Sequence, residues 1–119
     1  SFLAEIRNQI NLIASNNTFD SVRIYSGTDI LIGGIFSALG VSDNRRAPVG
    51  SAVMFEFYES DLYPKNFVRF YYLHDTYSER PNLLTIYNCL TDEMCSFEKF
   101  KKQIEKYIPN DWRYECGLK

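Results

Sequence analysis

Residues 22–40, with the sequence VRIYSGTDILIGGIFSALG, decide the fold class of this 119-residue chain. The β-branched and aromatic run Val22–Tyr25, bounded by polar residues, predicts a short strand. Residues 26–29 then supply a tight turn. The apolar run Ile30–Leu39 predicts a helix that Thr28 or Asp29 caps and that Gly40 ends, although the Gly pair in its middle lowers the helix propensity.

A second helix is predicted upstream, over residues 1–15. Its apolar side chains recur every three or four residues and so form one stripe: Leu3, Ile6, Ile10 and Ile13. The first forty residues therefore follow the order helix, strand, turn, helix, which is typical of an α/β protein.

The second half of the chain predicts an antiparallel hairpin followed by a helix. Residues 52–59 and 67–73 alternate between two faces, and the segment between them has turn chemistry. Residues 83–87 predict a further short strand. Ser96 is a good N-cap for a helix whose apolar stripe begins at Phe97 and that Pro109 terminates, and we expect residues 110–119 to be irregular.

Composition excludes several classes of protein. The net charge of −2 gives no electrostatic footprint for nucleic acid. The longest apolar run, Ile30–Phe36, is far shorter than the roughly 20 residues that a membrane helix needs. The length suits one domain or a piece of one, and because the chain begins at Ser1 rather than Met we expect it to be processed or cut from something longer.

Three cysteines and one sequon are the candidate sites of disulfide formation and glycosylation. Cys89, Cys95 and Cys116 form no Cys-x-x-Cys pair and there is one His, so we expect no metal site. An odd count leaves one thiol without a partner inside the chain, and in an oxidising compartment that thiol can bond outside it. The sequon at Asn16 predicts either a surface glycan or an unmodified loop.

The turn at residues 26–29 is the best place for chemistry. A turn that opens a helix presents free backbone N–H groups and the positive end of the helix dipole, which bind anions. The alternative is an ordinary connection in which Thr28 or Asp29 only caps the helix. Asp29 could protonate a leaving group if the site held its proton. We expect His74 to be a solvated surface residue without a catalytic role. The pair Arg45-Arg46 could bind phosphate or a carboxylate, and the alternative that we favour is a pair of solvated loop charges.

Six pieces, taken in order, resemble the C-terminal part of a histidine acid phosphatase of the prostatic and lysosomal type. They are Ile24–Asp29, Leu39–Val41, Pro48–Tyr58, Phe67–Tyr72, Phe97–Phe100 with Cys89 and Cys95 before it, and Ile108–Trp112 with Cys116 after it. The resemblance implies that residues 1–119 are the C-terminal part of one α/β domain, with a core strand, helices, an antiparallel strand pair and a disulfide-tied tail. The N-terminal part is absent from this chain.

The resemblance also shows two departures at the site. Enzymes of this family form a phosphohistidine on an Arg-His-Gly motif, which this chain does not contain. Asp29 matches the family's proton donor, but Thr28 stands where the family has a phosphate-binding His. A Thr hydroxyl is neutral and short, and loss of one such donor commonly costs about 10²–10³ in rate.

The resemblance implies a disulfide between Cys89 and Cys95, and for Cys116 a partner in the missing N-terminal segment or a second chain. It implies no cofactor. We therefore expect a degenerate, non-catalytic scaffold or structural component of a secreted or surface assembly. The alternative is part of an active secreted or lysosomal acid phosphatase that hydrolyses phosphomonoesters. Either function requires the secretory pathway, with an extracellular, cell-surface or lysosomal destination.

Overall fold

The computed structural model describes residues 1–18, 21–41, 46–62, 64–89 and 94–118. Its helices and antiparallel sheet confirm the α/β class. In chain order the elements are α1 (Phe2–Ala14), α2 (Asp29–Ala38), β1 (Ala52–Glu59), β2 (Asn66–Leu73), β3 (Asn82–Leu84), β4 (Cys95–Ser96), α3 (Phe97–Glu105) and α4 (Trp112–Glu115).

The predicted hairpin is confirmed and forms the centre of the sheet. β1 and β2 pair along their whole length, with Ala52 opposite Leu73 and Glu59 opposite Asn66. On its other side β2 pairs with β4 near its start, through Phe67 and Val68, and with β3 through Phe70–Tyr72. Because strand side chains alternate between faces, one face of this hairpin is almost wholly aromatic and aliphatic.

That apolar face packs against helices and makes the core. Phe55 stacks on Phe70, with ring centroids 4.8 Å apart, and is tilted against Phe100 of α3 at 5.7 Å. From α2, Phe36 meets Phe70 edge-on at 5.9 Å. α1 packs against α3, so that Ile10 and its neighbours join the same buried cluster. One continuous core therefore holds the sheet and the first three helices together.

The first two helices both end in Schellman turns, in which a residue with left-handed backbone closes the last turn. At the end of α2 this residue is Gly40, with φ of 69°, as predicted. The Val41 N–H donates to the Phe36 carbonyl at 2.9 Å, and the Gly40 N–H to the Ser37 carbonyl. These bonds fix where the chain leaves α2.

The prediction of a core strand at Val22–Tyr25 is wrong. Residues 22–28 form no helix or strand and pair with no described strand, and Val22 and Ile24 are 75% and 90% exposed. The local propensity for strand is present. A strand, however, needs a neighbour to accept its backbone hydrogen bonds, and the described part of this chain supplies none at this position.

Three further boundaries differ from the predictions. The strand expected at 83–87 is shortened to β3, because the Tyr87 N–H donates to the Leu39 carbonyl instead of to a strand. α3 ends at Glu105, before the positions next to Pro109 that disfavour helix. The tail contains α4, whose start Asp111 caps by accepting from the N–H groups of Arg113 and Tyr114.

Candidate functional site

The turn that leads into α2 places Thr28 and Asp29 at the helix start. Thr28 is the N-cap residue, with extended backbone (φ −113°, ψ 169°), but its side chain makes no capping hydrogen bond. It is exposed to solvent. Asp29 is the first residue of the helix and lies where the positive end of the dipole favours a negative charge.

Asp29 is held as a carboxylate by its neighbours. Arg46 Nε donates to Asp29 Oδ2, forming an ion pair in which the Asp29 side chain is 23% exposed. This hydrogen bond, together with the Arg46 charge and the backbone N–H of Ile30, lowers the pKa of Asp29. The same hydrogen bond raises the pKa of Arg46. Both groups are therefore charged over the whole physiological range.

This electrostatic arrangement opposes the role that the resemblance implies for Asp29. A proton donor must hold its proton at working pH, so its pKa has to be raised toward that pH. In this structure the pKa moves the other way, and the carboxylate accepts hydrogen bonds instead of donating a proton. In the described part of the chain the turn holds Asp29 and Arg46 as a charge pair, and this pairing disfavours proton donation by Asp29.

Arg46 combines the two alternatives that the sequence left open, because it pairs with a carboxylate and also stays in solvent. It donates to Asp29, seventeen residues earlier in the chain. Its side chain remains 83% exposed, so the remaining guanidinium donors face water. Arg45 lies outside the described residues. Two adjacent arginines shortly before a predicted strand were the only available signal.

His74 and the acidic residues form no second centre. The Tyr72 hydroxyl and His74 Nδ1 are 3.2 Å apart, with the two rings edge-on at 5.7 Å. This half-buried position at the end of β2 differs from the solvated loop that we predicted. Among the described residues no group of three His, Cys, Asp or Glu side chains is arranged to hold a metal ion.

The cysteines separate into a bonded pair and a free thiol. A disulfide joins Cys89 to Cys95, with Cα atoms 5.3 Å apart, and both residues are buried. It closes a short loop directly before α3. Cys116, which follows α4, has a free and exposed thiol. The tail is therefore not joined to the rest of this chain by a disulfide.

Comparison with known proteins shows the relationship that the sequence suggested. The chain is 32% identical to lysosomal acid phosphatase of Bos taurus over 116 residues, which is 98% of this chain and 26% of that protein. It is 29% identical to the Homo sapiens lysosomal protein over the same shares. Prostatic acid phosphatase of Rattus norvegicus is 30% identical over 94% of this chain and 28% of its own length.

The chain resembles the histidine acid phosphatases. It matches a C-terminal part of such a protein and spans about a quarter of the length of the curated relatives. Neither a protein-family model nor a solved structure matches the chain. These relatives and the disulfide indicate a general secretory or lysosomal location. None of the described helices is long and apolar enough to span a bilayer.

Proposed function

We propose that this chain is part of a degenerate acid phosphatase-like domain that serves as a non-catalytic structural component of a secreted or surface assembly. The observation that carries the proposal is the ion pair between Asp29 and Arg46, which lowers the pKa of the carboxylate in the first turn of α2. A phosphatase of this family would need that group protonated to release the alcohol. The neighbouring Thr28 supports the same conclusion.

Thr28 weakens phosphate binding for a separate reason. Its hydroxyl is neutral, whereas a His at this position donates a charge-assisted hydrogen bond to a phosphoryl oxygen. Such bonds strengthen as charge develops in the transition state, so their loss reduces turnover more than it reduces ground-state binding. Two independent defects thus lie on adjacent residues.

We further propose that the chain is the C-terminal part of one domain completed by an N-terminal segment or a second chain. The exposed segment 22–28 supports this, because a β-branched run with no neighbour among the described strands is suited to pairing with a strand of the segment that completes the domain. The free, exposed Cys116 supports a disulfide to that partner. The same surfaces would allow a homo- or hetero-assembly.

A catalytic function is the second candidate, and one observation favours it. The relatives are named acid phosphatases, and this chain keeps an aspartate at the start of α2 with an arginine beside it. If phosphate bound, Arg46 could turn from Asp29 to the anion, and Asp29 would then regain its proton more easily. The nucleophile would have to come from the segment that completes the domain.

Activity of the complete molecule separates these candidates. Hydrolysis of an aryl phosphate should be measured in mildly acidic buffer for wild type, Thr28→His and Thr28→Ser. We expect little or no turnover by wild type and Thr28→Ser, since both present a hydroxyl. If the remaining machinery is intact, Thr28→His should gain about 10²–10³ in rate. Rapid hydrolysis by wild type would contradict the scaffold proposal.

The partner proposal has its own test. Peptide mapping of the complete molecule without reduction should show Cys116 in a disulfide with a cysteine outside residues 1–119, and Cys116→Ser should release that partner on a non-reducing gel. The Cys89–Cys95 peptide serves as the internal control for oxidising conditions. A free Cys116 thiol beside an intact Cys89–Cys95 bond would exclude the covalent link.

A further inference from the structure

The C-terminal end of α1 presents a sequon on an exposed turn of defined shape. The Asn17 N–H donates to the Leu12 carbonyl at 3.0 Å and the Asn16 N–H to the Ile13 carbonyl at 3.2 Å, which together make a Schellman turn. Asn16 takes the left-handed position, with φ of 57°. Asparagine tolerates this conformation better than other residues with a side chain, apart from Asp. Asn16 therefore has a structural reason to be present.

The Asn16 side chain is free to carry a large group. Residues 15–18 are all exposed, and the backbone groups of Asn16 and Asn17 are already satisfied by the helix end. The Asn17 amide bonds to the Ser15 hydroxyl at 2.8 Å, whereas no hydrogen bond is found for the Asn16 amide among the residues that the structure describes. A substituent there displaces no core side chain and breaks no helix contact.

We propose that Asn16 carries an N-linked glycan. The donor is a lipid pyrophosphate-linked oligosaccharide: the Asn16 amide nitrogen forms a bond to the anomeric carbon, the bond from that carbon to the pyrophosphate oxygen breaks, the amide loses one proton, and the lipid pyrophosphate leaves. Thr18 supplies the hydroxyl that the acceptor tripeptide requires, and the sequon is the only one in the chain. The inference rests on a secretory route and not on whether the domain is catalytic.

Glycosylation would restrict how the chain assembles. A glycan on the C′ residue of α1 keeps that end of the helix in solvent, so a partner can use segment 22–28 or the tail but cannot cover the α1 terminus. This consequence follows from the bulk and hydration of the glycan. It holds for a scaffold and for an enzyme alike.

The test uses the full protein secreted by eukaryotic cells that perform N-glycosylation. Tryptic cleavage after Arg7 and Arg23 gives peptide 8–23, which contains the sequon. Treatment with a glycan-releasing amidase in heavy-oxygen water should convert Asn16 to a labelled Asp in most molecules. An unmodified Asn16 in the secreted protein would overturn the proposal, whatever the phosphatase assay shows.

Three variants give matched controls on a gel before and after the amidase. Thr18→Ala should abolish the shift, whereas Thr18→Ser and Asn17→Gln, which both keep the sequon, should retain it. These changes leave the left-handed residue Asn16 in place, so the turn is preserved. A shift that persists in Thr18→Ala would place the glycan elsewhere and overturn the proposal. If Thr18→Ala fails to be secreted, the labelled wild-type peptide still decides the question.

Discussion

The sheet with α3 and the segment 21–31 are opposite cases within one chain. In the first, aromatic rings from β1, β2 and α3 lie within 6 Å of one another and Phe70, Phe100 and Ile104 are 0% exposed. In the second, residues of the same apolar kind are exposed, with Ile24 at 90% and Ile30 at 78%. The two regions differ in their neighbours more than in their composition.

This contrast teaches where the chain is self-sufficient. A hairpin closes its own hydrogen bonds and needs only a helix on one face, and α3 follows closely enough in sequence to provide it. A strand placed between other strands requires partners on both sides. Segment 21–31 therefore retains apolar side chains that the described part of this chain does not cover, and it carries the candidate site.

The largest expected effect comes from removing the same side chain in the two regions. Ile104→Ala should destabilise the chain by about 2–5 kcal/mol, because it leaves a cavity in a fully buried position. Ile24→Ala should change the free energy of unfolding by less than about 0.5 kcal/mol. Urea unfolding of both variants checks this. In a completed domain we expect Ile24→Ala to become costly, and equal costs in the chain alone would refute the comparison.

A second test uses Gly33 within α2 and Gly40 just after its end, because α2 connects the two regions. Gly40→Ala should destabilise by about 3 kcal/mol, because an added Cβ lies 2.6 Å from the Tyr87 Cβ and the backbone φ is 69°. Gly33→Ala meets no atom within 4 Å, so we expect it to stabilise the helix by about 0.5–1 kcal/mol. Thermal unfolding measured by circular dichroism should show a lower melting temperature for Gly40→Ala and a higher one for Gly33→Ala. The same sign for both variants would contradict the described end of α2.

The disulfide strengthens the packed region by constraining the segment before α3. Cys89 and Cys95 are six residues apart, and closing a loop of this length in the unfolded chain is worth about 2 kcal/mol. The double variant Cys89→Ser, Cys95→Ser should lose that amount, whereas Cys116→Ser, which removes an exposed thiol, should leave stability of the chain unchanged. Differential scanning calorimetry without reductant measures the stability of both variants against wild type. Destabilisation by Cys116→Ser alone would show that the tail is also part of the core.

The features that were predicted correctly depend on neighbours in sequence. The period of three and four along α1, the alternation along β1 and β2, and the glycine after α2 all act within a few residues, so local physics suffices. The failures depend on neighbours in space. The strand at Val22–Tyr25 has the right composition but no described partner, and β3 ends early because Tyr87 turns to α2.

The candidate site follows the same division. Thr28 and Asp29 were placed correctly at a helix start, since capping preferences are local. The charge state of Asp29 was not predictable, because it is set by Arg46 across a segment partly outside the described residues. A resemblance identifies which residue occupies a family position, but only the surrounding charges decide whether that residue can act as its counterpart does.

The smallest expected effect tests that charge state. Arg46→Gln should raise the pKa of Asp29 back toward the value of a free aspartic acid, because the first cause of its lowering is the Arg46 hydrogen bond. A lowered pKa in the folded state gives stability that is present above the range in which free Asp titrates and is lost as pH falls through the folded-state pKa. The free energy of unfolding of Arg46→Gln should therefore fall less at acid pH than that of wild type, because the contribution from Asp29 is gone.

NMR titration of the Asp29 carboxyl measures its pKa directly. The control is Arg80→Gln, which removes an equal charge at another exposed position. We expect Arg80→Gln to leave the Asp29 titration where it is in wild type. The decisive measurement repeats the titration in the completed molecule. If the pKa of Asp29 there is raised instead of lowered, Arg46 has moved away and Asp29 can hold a proton, so the exposed turn would regain the role of a general acid and the scaffold proposal would fail.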